Sequence, residues 1–456
     1  MASVNDTEFQ RMTQAPIRPL VARLAFPTVV SMLITSLYNM ADTWFVSQIG
    51  TSASGAVGIV FSIMAIIQAI GFMLGMGAGS LISRTLGEQD PQRASRIASS
   101  AFAASLLFGL LLTVGGLLLL DDLMVWLGAT KTILPYARDY ARYILLGAPV
   151  MSASFVLNNL LRAEGKARFS MVGLTLGGVL NILLDPYFIF VLDLETAGAA
   201  MATLLSQTVS FLIMLSFFLT GKSILRLRPH LISRQLRTYG EIAKTGAPSL
   251  CRQGLASVSS ILLNTNAAAF GDCAVSAMSI VSKLFMLMFC VGLGIGQGYQ
   301  PIAGYNYGAQ KWGRVREACL FVFCVNTAVL GVLGLSAAAL APQIMTAFID
   351  DPQVVAIGTQ ALRFQGIAMP FLALNMICNM TFQATGQRGR ATLLSCCRQG
   401  LFFVPTALAL PALWKVTGVT LIQPVSDLCT FTFSLPFFFA FLKDIRRRIT
   451  EQKAAA

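Results

Sequence analysis

Two aspartates, Asp42 and Asp185, lie in stretches that are otherwise apolar and long enough to cross a lipid bilayer. About 20 helical residues, at roughly 1.5 Å each, cover a hydrocarbon core of about 30 Å. A carboxylate at the centre of such a helix costs about 2.5 to 3.5 kcal/mol, which suggests that it has a function. Burial favours the protonated form of a carboxyl group, and a neighbouring carboxylate favours it further. Two such groups could bind and release protons near neutral pH.

Two neutral polar residues accompany these aspartates at one level of the outer leaflet. Counted from the outer ends of their helices, Asp42 is about six residues deep and Asp185 about seven, or roughly 9 Å. Asn181 lies one helical turn from Asp185 on the same face, and Thr203 lies about six residues into the next span. We expect these four side chains to share one level, and the exchange of protons by the two aspartates is the property that a proton-coupled carrier needs. The alternative is that each aspartate caps a helix end or pairs with a buried donor.

A lysine and a third aspartate predict a second ionic site. Lys283 and Asp427 each lie about nine residues from the outer surface, and their charges are opposite. We expect a buried ion pair, which is either structural or part of a second ion or substrate site. Arg252 and Arg398 are nearer the cytoplasmic side, where a long side chain can extend to the membrane surface, so they carry little weight.

Further polar residues of spans 1 and 4 are candidates for a substrate cavity: Tyr38, Asn39, Asn158 and Asn159. The chain also has 19 methionines and 31 phenylalanines, some of which could line an adaptable apolar cavity, although most must face lipid or core. The nine cysteines have neither zinc-ligand nor disulfide-framework spacing. We expect no metal site and no cofactor other than a coupling H⁺ or Na⁺.

The composition places these residues in a polytopic membrane protein. Of the 456 residues 55% are hydrophobic and 12% are charged, whereas a soluble protein has about 25% charged residues. The net charge of +13 does not indicate nucleic-acid binding, because the charges lie in short loops and form no basic patch with interleaved aromatics. The stretch before Arg23 lacks the features of a cleavable signal peptide, so the first span should act as its own insertion signal.

Twelve apolar spans emerge from the sequence. They cover roughly residues 24–48, 54–83, 97–120, 136–161, 169–192, 197–220, 246–270, 274–307, 318–341, 356–384, 391–414 and 418–442. Basic residues concentrate in the loops on one side, and the other side carries mainly acids, with Lys131 and Lys415 as exceptions. The positive-inside rule therefore predicts that both termini are cytoplasmic and that the protein lies in the cytoplasmic (inner) membrane.

The second half of the chain repeats the first at one constant offset. Matching residues include Pro27 with Pro248, Gly50 with Gly271, Gly71 with Gly292, Gly75 with Gly296, Gly87 with Gly308, Pro149 with Pro370, Asn158 with Asn379 and Gly165 with Gly386. Glycine and proline set helix bends and close helix contacts, so the matches indicate two copies of one fold. Leu263 and Thr406 stand at the positions equivalent to Asp42 and Asp185, so the architecture alone does not require these acids.

The repeat predicts the fold. We expect an all-α polytopic membrane protein with 12 transmembrane helices in two six-helix lobes, related by a pseudo-twofold axis along the membrane normal. The N-terminal lobe should cover residues 13–220 and the C-terminal lobe residues 245–445. A cytoplasmic linker, residues 221–244, should join them, and residues 446–456 should form a cytoplasmic tail. A cleft between the lobes is the natural substrate site.

Two glycine runs and one Gly-Lys-Ser sequence resemble parts of nucleotide-binding loops. The runs Gly71–Gly79 and Gly292–Gly298 lie inside membrane spans rather than after a strand, so close helix packing is the better interpretation. Gly221-Lys222-Ser223 lacks the first glycine of a phosphate-binding loop, because Ser216 occupies that position. Energy for transport must then come from an ion gradient or from a partner.

Four motifs resemble those of the multidrug and toxic compound extrusion (MATE) transporters. They are Tyr38-Asn-Met-Ala-Asp-Thr-Trp-Phe-Val, Arg162-Ala-Glu-Gly, Asn181-x-x-x-Asp185-Pro186 and Gln300-Pro-Ile-Ala-Gly-Tyr-Asn-Tyr-Gly-Ala. The resemblance covers essentially the whole chain, and the last motif is most similar to the DinF branch with its MepA-type members.

The resemblance implies roles for particular residues. It assigns Asp42, Asp185, Asn181 and Thr203 to cation coupling, and it places a bend of the first span at Pro27. The NorM branch of the family has acids in spans 7 and 10, and this chain has none there. Sodium coupling in the second half is therefore disfavoured, although Asp427 could substitute.

The resemblance and the buried acids together predict a secondary antiporter rather than an enzyme. It should export amphipathic, mostly cationic compounds in exchange for protons, with sodium as the second choice, and it should act as a monomer. A flippase for an anionic lipid-linked precursor is the main alternative, because Arg252, Lys283 and Arg398 would suit an anion. An intramembrane aspartyl protease also uses two buried aspartates, but the Tyr-Asp and Gly-x-Gly-Asp sequences of such enzymes are missing.

Overall fold

The computed structural model describes residues 2–455, and every regular element in that range is helical. The helices are α1 Ala2–Gln14, α2 Ile17–Ser47, α3 Thr51–Gly87, α4 Pro91–Leu118, α5 Leu120–Trp126, α6 Leu134–Ala163, α7 Ala167–Pro186, α8 Glu195–Leu219, α9 Leu236–Ala268, α10 Asp272–Gly308, α11 Trp312–Ala339, α12 Ala341–Phe348, α13 Pro352–Ala384, α14 Arg388–Cys396 and α15 Phe403–Ala455. Single π-helical turns, Tyr187–Val191 and Cys397–Leu401, follow α7 and α14.

The predicted all-helical membrane fold with twelve spans is confirmed. Within residues 2–455, ten helical stretches are long and apolar enough to cross a membrane. One of them, Arg388–Ala454, holds two crossings, because the backbone turns sharply at Trp414 and Lys415. The remaining crossing is α9, which is long enough at 33 residues but more polar than the others. The short helices α5 and α12 lie between spans and were not predicted.

The chain divides into two compact units. The first unit contains Val30–Gly246 and the described N-terminal residues up to Gln10, and the second contains Arg11–Val29 and the described residues from Ala247 onward. Within the first unit α6 packs against α3, α4 and α8, and within the second α13 packs against α10, α11 and α15. These two helices are the most enclosed spans, with 78% and 72% of their apolar windows buried, against at most 44% in any other span.

The internal repeat is visible in the backbone of the two units. Helices α3, α4, α5 and α7 begin at positions equivalent to the first residues of α10, α11, α12 and α14. Positive φ angles recur at the same spacing, in Gly50 and Gly271, Gly165 and Gly386, and the non-glycine pair Gln89 and Gln310. Because a positive φ is unfavourable for most residues, its recurrence at equivalent turns shows that both units follow one chain path.

Helices α2 and α9 each contribute residues to both units. The division falls between Val29 and Val30 in α2 and between Gly246 and Ala247 in α9. Each break lies next to a proline inside the helix, Pro27 or Pro248, which cannot donate a backbone hydrogen bond. This grouping differs from the predicted lobes, residues 13–220 and 245–445, and those lobe boundaries stay a prediction. A hinge at Pro27 also stays a prediction.

Glycines allow backbones to approach closely between neighbouring helices of one unit. A Cβ on Gly109 of α4 would overlap the backbone of Ala148 and Pro149 in α6. In the second unit Gly334 of α11 and Gly366 of α13 are opposed, and a Cβ on either would overlap the carbonyl oxygen of the other. Lipid provides no hydrophobic driving force for helix association, so membrane helices depend on close van der Waals packing. Small residues such as these glycines permit that packing.

We expect Gly109→Val to destabilise the protein by about 1 to 3 kcal/mol or more, because the new side chain overlaps backbone that cannot rotate away. Gly115→Val is the matched control: Gly115 lies on the same helix, and no atom comes within 4 Å of a Cβ built there. Thermal unfolding of the purified proteins in detergent measures the difference. Equal unfolding temperatures for the two variants would contradict the close contact.

The segment after α8 is attached to the first unit by polar contacts. Backbone groups of Arg226, Arg228 and Ser233 bond to the hydroxyls of α4, with Arg226 N to Ser95 Oγ at 3.1 Å and Ser233 N to Ser100 Oγ at 2.9 Å. These contacts hold the linker along α4.

A buried glutamate in the turn after α6 holds the start of this linker. Glu164 Oε2 accepts hydrogen bonds from Ser223 Oγ at 2.9 Å, Ile224 N at 2.8 Å and Leu225 N at 3.4 Å. Burial raises the pKa of Glu164 from 4.5 to about 7, although Lys166 and these three hydrogen bonds lower it. The folded protein therefore binds a proton at Glu164 in the pH range where the unfolded chain has released it.

This raised pKa predicts a pH-dependent stability. Glu164→Gln stays neutral at every pH and keeps an acceptor oxygen. As pH rises from the pKa of the unfolded chain through that of the folded protein, the free energy of unfolding of wild type falls by up to about 3 kcal/mol relative to this variant. The two proteins should unfold at similar temperatures near pH 5, and wild type at the lower temperature near pH 8. Glu88→Gln, which neutralises an exposed glutamate, is the control. A pH-independent difference between wild type and Glu164→Gln would rule out this titration.

Candidate functional site

The predicted coupling residues lie on three helices of the first unit. Asp42 is in the C-terminal part of α2, Asn181 and Asp185 are in the last two turns of α7, and Thr203 is in α8. Asp185 directly precedes Pro186 and the π-helical turn, a type of irregularity that is frequent at functional sites. Asp185 is fully buried, Asn181 and Thr203 are nearly so, and Asp42 is partly exposed.

One amide connects three of these four side chains. Asn181 Nδ2 donates to Asp185 Oδ1 at 3.1 Å and lies 3.4 Å from Thr203 Oγ1. Asp42 is close enough to Asp185 for the two carboxyl groups to interact electrostatically. The structure thus brings the four residues together within one unit. It does not by itself test whether they bind a coupling ion.

Three oxygens of this cluster are buried and have no hydrogen-bond donor among the residues that the structure describes. They are Asp42 Oδ1, Asp185 Oδ2 and Asn181 Oδ1. A buried acceptor without a donor is unfavourable, by about 1 to 3 kcal/mol. The arrangement therefore suits a proton on either carboxyl group or a small cation with oxygen ligands. Within residues 2–455 no group of three or more His, Cys, Asp or Glu residues is arranged to hold a metal ion.

Two tyrosines and a glutamine complete the cluster. Tyr140 of α6 is fully buried and interacts with both Asp42 and Asp185. Tyr38, one helical turn before Asp42, also interacts with Asp42, and its hydroxyl accepts a hydrogen bond from Gln207 Nε2 at 3.2 Å. Sequence analysis missed Tyr140 and Gln207. The depth count used for the aspartates would have found Tyr140, which lies about four residues inside the outer end of span 4.

The other predicted cavity residues have partners within the first unit. Asn158 Nδ2 donates to Ser170 Oγ at 2.6 Å, which connects α6 to α7, and the equivalent Asn379 donates to Ser395 Oγ at 2.5 Å in the second unit. Asn39 Nδ2 bonds to the backbone of its own helix. Because each asparagine connects the corresponding pair of helices in its unit, α6 with α7 or α13 with α14, we attribute these contacts to the stability of the fold. That Tyr38, Asn39, Asn158 and Asn159 line a substrate cavity stays a prediction.

Asn159 likewise makes contacts inside the unit. Its Nδ2 donates to Phe155 O at 2.7 Å, and its Oδ1 accepts from Arg162 Nη2 at 2.7 Å. A Cβ on Gly75 of α3 would lie 2.7 Å from Asn159 Nδ2, so the amide also fills the contact between α3 and α6.

The predicted pairing of Lys283 with Asp427 is wrong. Asp427 Oδ1 pairs with Arg398 Nε at 2.7 Å, and Lys283 is exposed on α10 without a salt bridge among the described residues. Depth counting could not give the face of α10 on which Lys283 lies. Arg398, interpreted from sequence as a side chain that extends to the surface, is 6% exposed and lies in the π-helical turn after α14.

Comparison with known proteins identifies the family. The family model MatE matches residues 27–187 and again residues 248–408. The chain belongs to the MatE family. The resemblance found in the sequence is thereby confirmed. The two matched ranges are offset by the same amount at both ends, the spacing that pairs Pro27 with Pro248, so each MatE match covers one copy of the repeat. Asp42 and Asp185 lie in the first match, and their neutral equivalents Leu263 and Thr406 lie in the second.

Relatives of this MatE family member include two export proteins. The multidrug export protein MepA of Staphylococcus haemolyticus (strain JCSC1435) is 27% identical over 455 residues, 99% of each chain. MepA of Staphylococcus aureus (strain MSSA476) is 25% identical over 91% of this chain and 92% of its own. The chain is therefore similar to multidrug exporters along nearly its entire length, and it is a multi-pass membrane protein of the same kind.

Solved structures of the family share the fold. A multidrug resistance MATE transporter of the MOP superfamily in an outward-facing conformation superposes with a TM-score of 0.91 at 25% identity, covering 96% of this chain and 98% of that one. A MOP superfamily transporter from Pyrococcus furiosus Vc1 (DSM3638), described as having a binding pocket of reverse polarity, gives 0.89 at 26% identity over 96% and 98%. This MatE member is accordingly a transporter of the two-lobe, twelve-helix type.

We expect Asp427→Asn to destabilise the protein by about 3 to 5 kcal/mol, because it leaves the buried Arg398 guanidinium without its counter-charge. The double variant Arg398→Gln/Asp427→Asn should lose less, since a neutral amide pair replaces the ion pair. Thermal unfolding of the purified proteins in detergent tests this order. A double variant less stable than the single one would show that the pairing does not govern stability.

Proposed function

We propose that the protein is a multidrug efflux antiporter that exports amphipathic, mostly cationic compounds in exchange for protons. The observation that carries the proposal is the cluster of Asp42, Asp185, Asn181 and Thr203, in which three buried oxygens have no donor among the described residues. A proton can bind either carboxyl group, and spans 7 and 10 lack the acids that would provide a sodium site in the second half. Sodium is therefore the second choice as coupling ion.

Coupling requires that proton and cargo favour opposite states of the transporter. In an alternating-access cycle, protonation of Asp42 and Asp185 from the outside lowers the affinity for a cationic cargo, which is then released outside. Loss of those protons to the cytoplasm restores two negative charges and, with them, the affinity for the next cation. A ligand shifts a two-state equilibrium only through its different affinity for the two states, and charge neutralisation provides that difference.

The proton gradient supplies enough free energy for this exchange. One charge moving through 100 mV releases about 2.3 kcal/mol, and a tenfold concentration step costs about 1.4 kcal/mol. With one proton on each aspartate, the exchange of two protons for one monovalent cation moves one net charge inward and can maintain a cargo gradient of more than tenfold. Both termini would lie in the cytoplasm, as the distribution of basic residues predicts.

Asp42→Asn and Asp185→Asn should each abolish efflux while the protein still reaches the membrane, because an amide cannot exchange a proton in this pH range. Asp122→Asn, which neutralises an exposed aspartate outside the cluster, is the matched control and should keep wild-type efflux. Ethidium efflux from cells that produce each protein, with membrane content measured by immunoblot, gives the result. Full efflux by both cluster variants would reject the coupling site.

Inverted membrane vesicles distinguish the two coupling ions. An imposed pH gradient, acidic inside the vesicle, should drive dye into the vesicles in the absence of sodium, and a sodium gradient at constant pH should not. Uptake that follows sodium alone would replace the proton in the proposal while leaving the cluster as its site.

A lipid flippase is the second candidate, because the buried Arg398 and the half-buried Arg252 interact in the second unit and could receive an anionic head group. Deletion of the gene separates the two functions. Increased drug sensitivity with normal growth supports export, whereas failure of cell-wall synthesis supports the flippase.

A further inference from the structure

A second polar cluster lies in the membrane-spanning part of the second unit. Arg398 is in the π-helical turn Cys397–Leu401, about ten residues from the cytoplasmic start of α14 and therefore about 15 Å deep, near the middle of the bilayer. Its side chain is 7% exposed and that of Asp427 is fully buried. Side chains of this polarity at that depth face the protein interior and mark functional sites by default.

The carboxylate of this cluster has all the donors it needs. Asp427 Oδ1 accepts from Arg398 Nε at 2.7 Å and from Gln423 Nε2 at 2.9 Å, and Asp427 Oδ2 accepts from Gln365 Nε2 at 3.1 Å. Arg398, in contrast, uses its Nε for this pair, while its Nη2 is buried without an acceptor among the residues that the structure describes. The unsatisfied group is thus a cationic donor, which an anionic oxygen would satisfy.

A second guanidinium group lies near Arg398. Arg252 of α9 is close enough for the two guanidinium groups to repel each other. Asp427 is the only acidic residue in the apolar parts of the membrane-spanning helices that the structure describes in this unit. An anion beside Arg398 would therefore also offset this repulsion.

Two aromatic rings cover one side of the guanidinium. The Arg398 carbon Cζ lies 5.4 Å from the ring centre of Phe285 and 5.1 Å from that of Phe289, one turn apart on α10. Cation–π contacts of this kind hold the guanidinium plane and place apolar surface beside its charge. A ligand with an anionic group on a flat apolar body would therefore bind the guanidinium through its charge and contact the two rings through its apolar body.

The repeat shows that the fold does not require this cluster. Gly177, Ser206 and Ser31 stand at the positions in the first half that are equivalent to Arg398, Asp427 and Arg252. The same backbone is built there with small neutral side chains. The cost of burying two charges at the membrane midplane then has no architectural reason.

We propose that Arg398, oriented by Asp427, binds an anionic oxygen group of an amphiphilic substrate, a carboxylate or a phosphate, in the second unit. The inference rests on the proposed export function for the amphiphilic character of the ligand, and it adds zwitterionic and anionic amphiphiles to the cationic substrates. The guanidinium Nη2 donates to the anionic oxygen, and the rings of Phe285 and Phe289 contact the apolar body beside it.

Binding of a matched dye pair tests the proposal without any ion gradient. Rhodamine B carries a free carboxylate, and its methyl ester has the same ring system without that charge. Fluorescence polarisation with the purified full-length protein in detergent should show binding of the acid about tenfold tighter than binding of the ester, the strength expected of one charged hydrogen bond. In Arg398→Gln/Asp427→Asn, which keeps a neutral hydrogen-bonding pair, the ratio of the two dissociation constants should fall to about one.

A matched control and a stability measurement separate binding from folding. Lys283→Gln removes a positive charge from the same unit at an exposed position of α10, without touching the cluster, and should keep the wild-type preference for the acid. Thermal unfolding identifies any variant that is not folded, and in that case Arg398→Lys, which keeps the charge without the planar donor, provides the second test. Arg398→Lys should show a weaker preference for the acid than wild type. A preference of wild-type size in folded Arg398→Gln/Asp427→Asn or in folded Arg398→Lys would overturn the proposal.

Competition experiments identify the anionic group. Dodecyl phosphate and laurate share a chain length and differ in their head group, and the one that displaces rhodamine B from wild type at lower concentration is the preferred chemistry. Equal affinity of wild type for acid and ester, or no binding of either dye, would also overturn the proposal. Loss of efflux in the aspartate variants of the first unit concerns coupling only, so a failure of the proposed function and a failure of this site remain distinguishable.

Discussion

Every polar group inside the membrane part of this protein must find its partner within the protein, because lipid offers none. The structure meets that constraint mainly through local hydrogen bonds, with a few exceptions. Most polar side chains are satisfied locally: threonine and serine hydroxyls donate to carbonyl groups one turn earlier, as Thr28 does to Leu24 and Thr430 does to Ser426. Within the apolar parts of the spans, the buried charged side chains with an unsatisfied atom lie in two places, around Asp185 in the first unit and around Arg398 in the second.

Comparison of the two copies of the repeat shows which buried polar residues the fold itself requires. Two units with the same helix starts, the same turns with positive φ and the same central helix differ in the polar residues that they carry. The asparagines Asn158 and Asn379 hold equivalent helix pairs in both units, and they belong to the shared architecture. The acids of the first unit and the ion pair of the second have no counterparts in the other copy. A common scaffold therefore presents two chemically different interiors, one with two aspartates and one with a buried arginine–aspartate pair.

Much of the fold was predictable because membrane-spanning helices follow from local composition and length. The spans, the repeat and the level shared by Asp42 and Asp185 depend only on counting along the chain. The partner of Asp427 depends on rotation about helix axes, and an irregular turn at Cys397–Leu401 brings Arg398 inward in a way that a regular helix count does not describe. Tyr140 was missed for a different reason: its depth in span 4 was a usable signal, but an aromatic residue near a membrane surface usually anchors the interface. The short helices α5 and α12 lie where the sequence showed only loops.

The sharing of α2 and α9 between the two units has a consequence for how the protein is made. Ribosomes deliver the chain from its N-terminus, yet the first unit is complete only when synthesis has reached Gly246, inside the seventh span. Residues Arg11–Val29 are synthesised early but belong to the second unit, so they leave the translocon long before the rest of that unit has been made. Biogenesis therefore cannot proceed as two independent folding events in succession, and the early spans must wait in the bilayer, incompletely packed, until the second copy has been inserted.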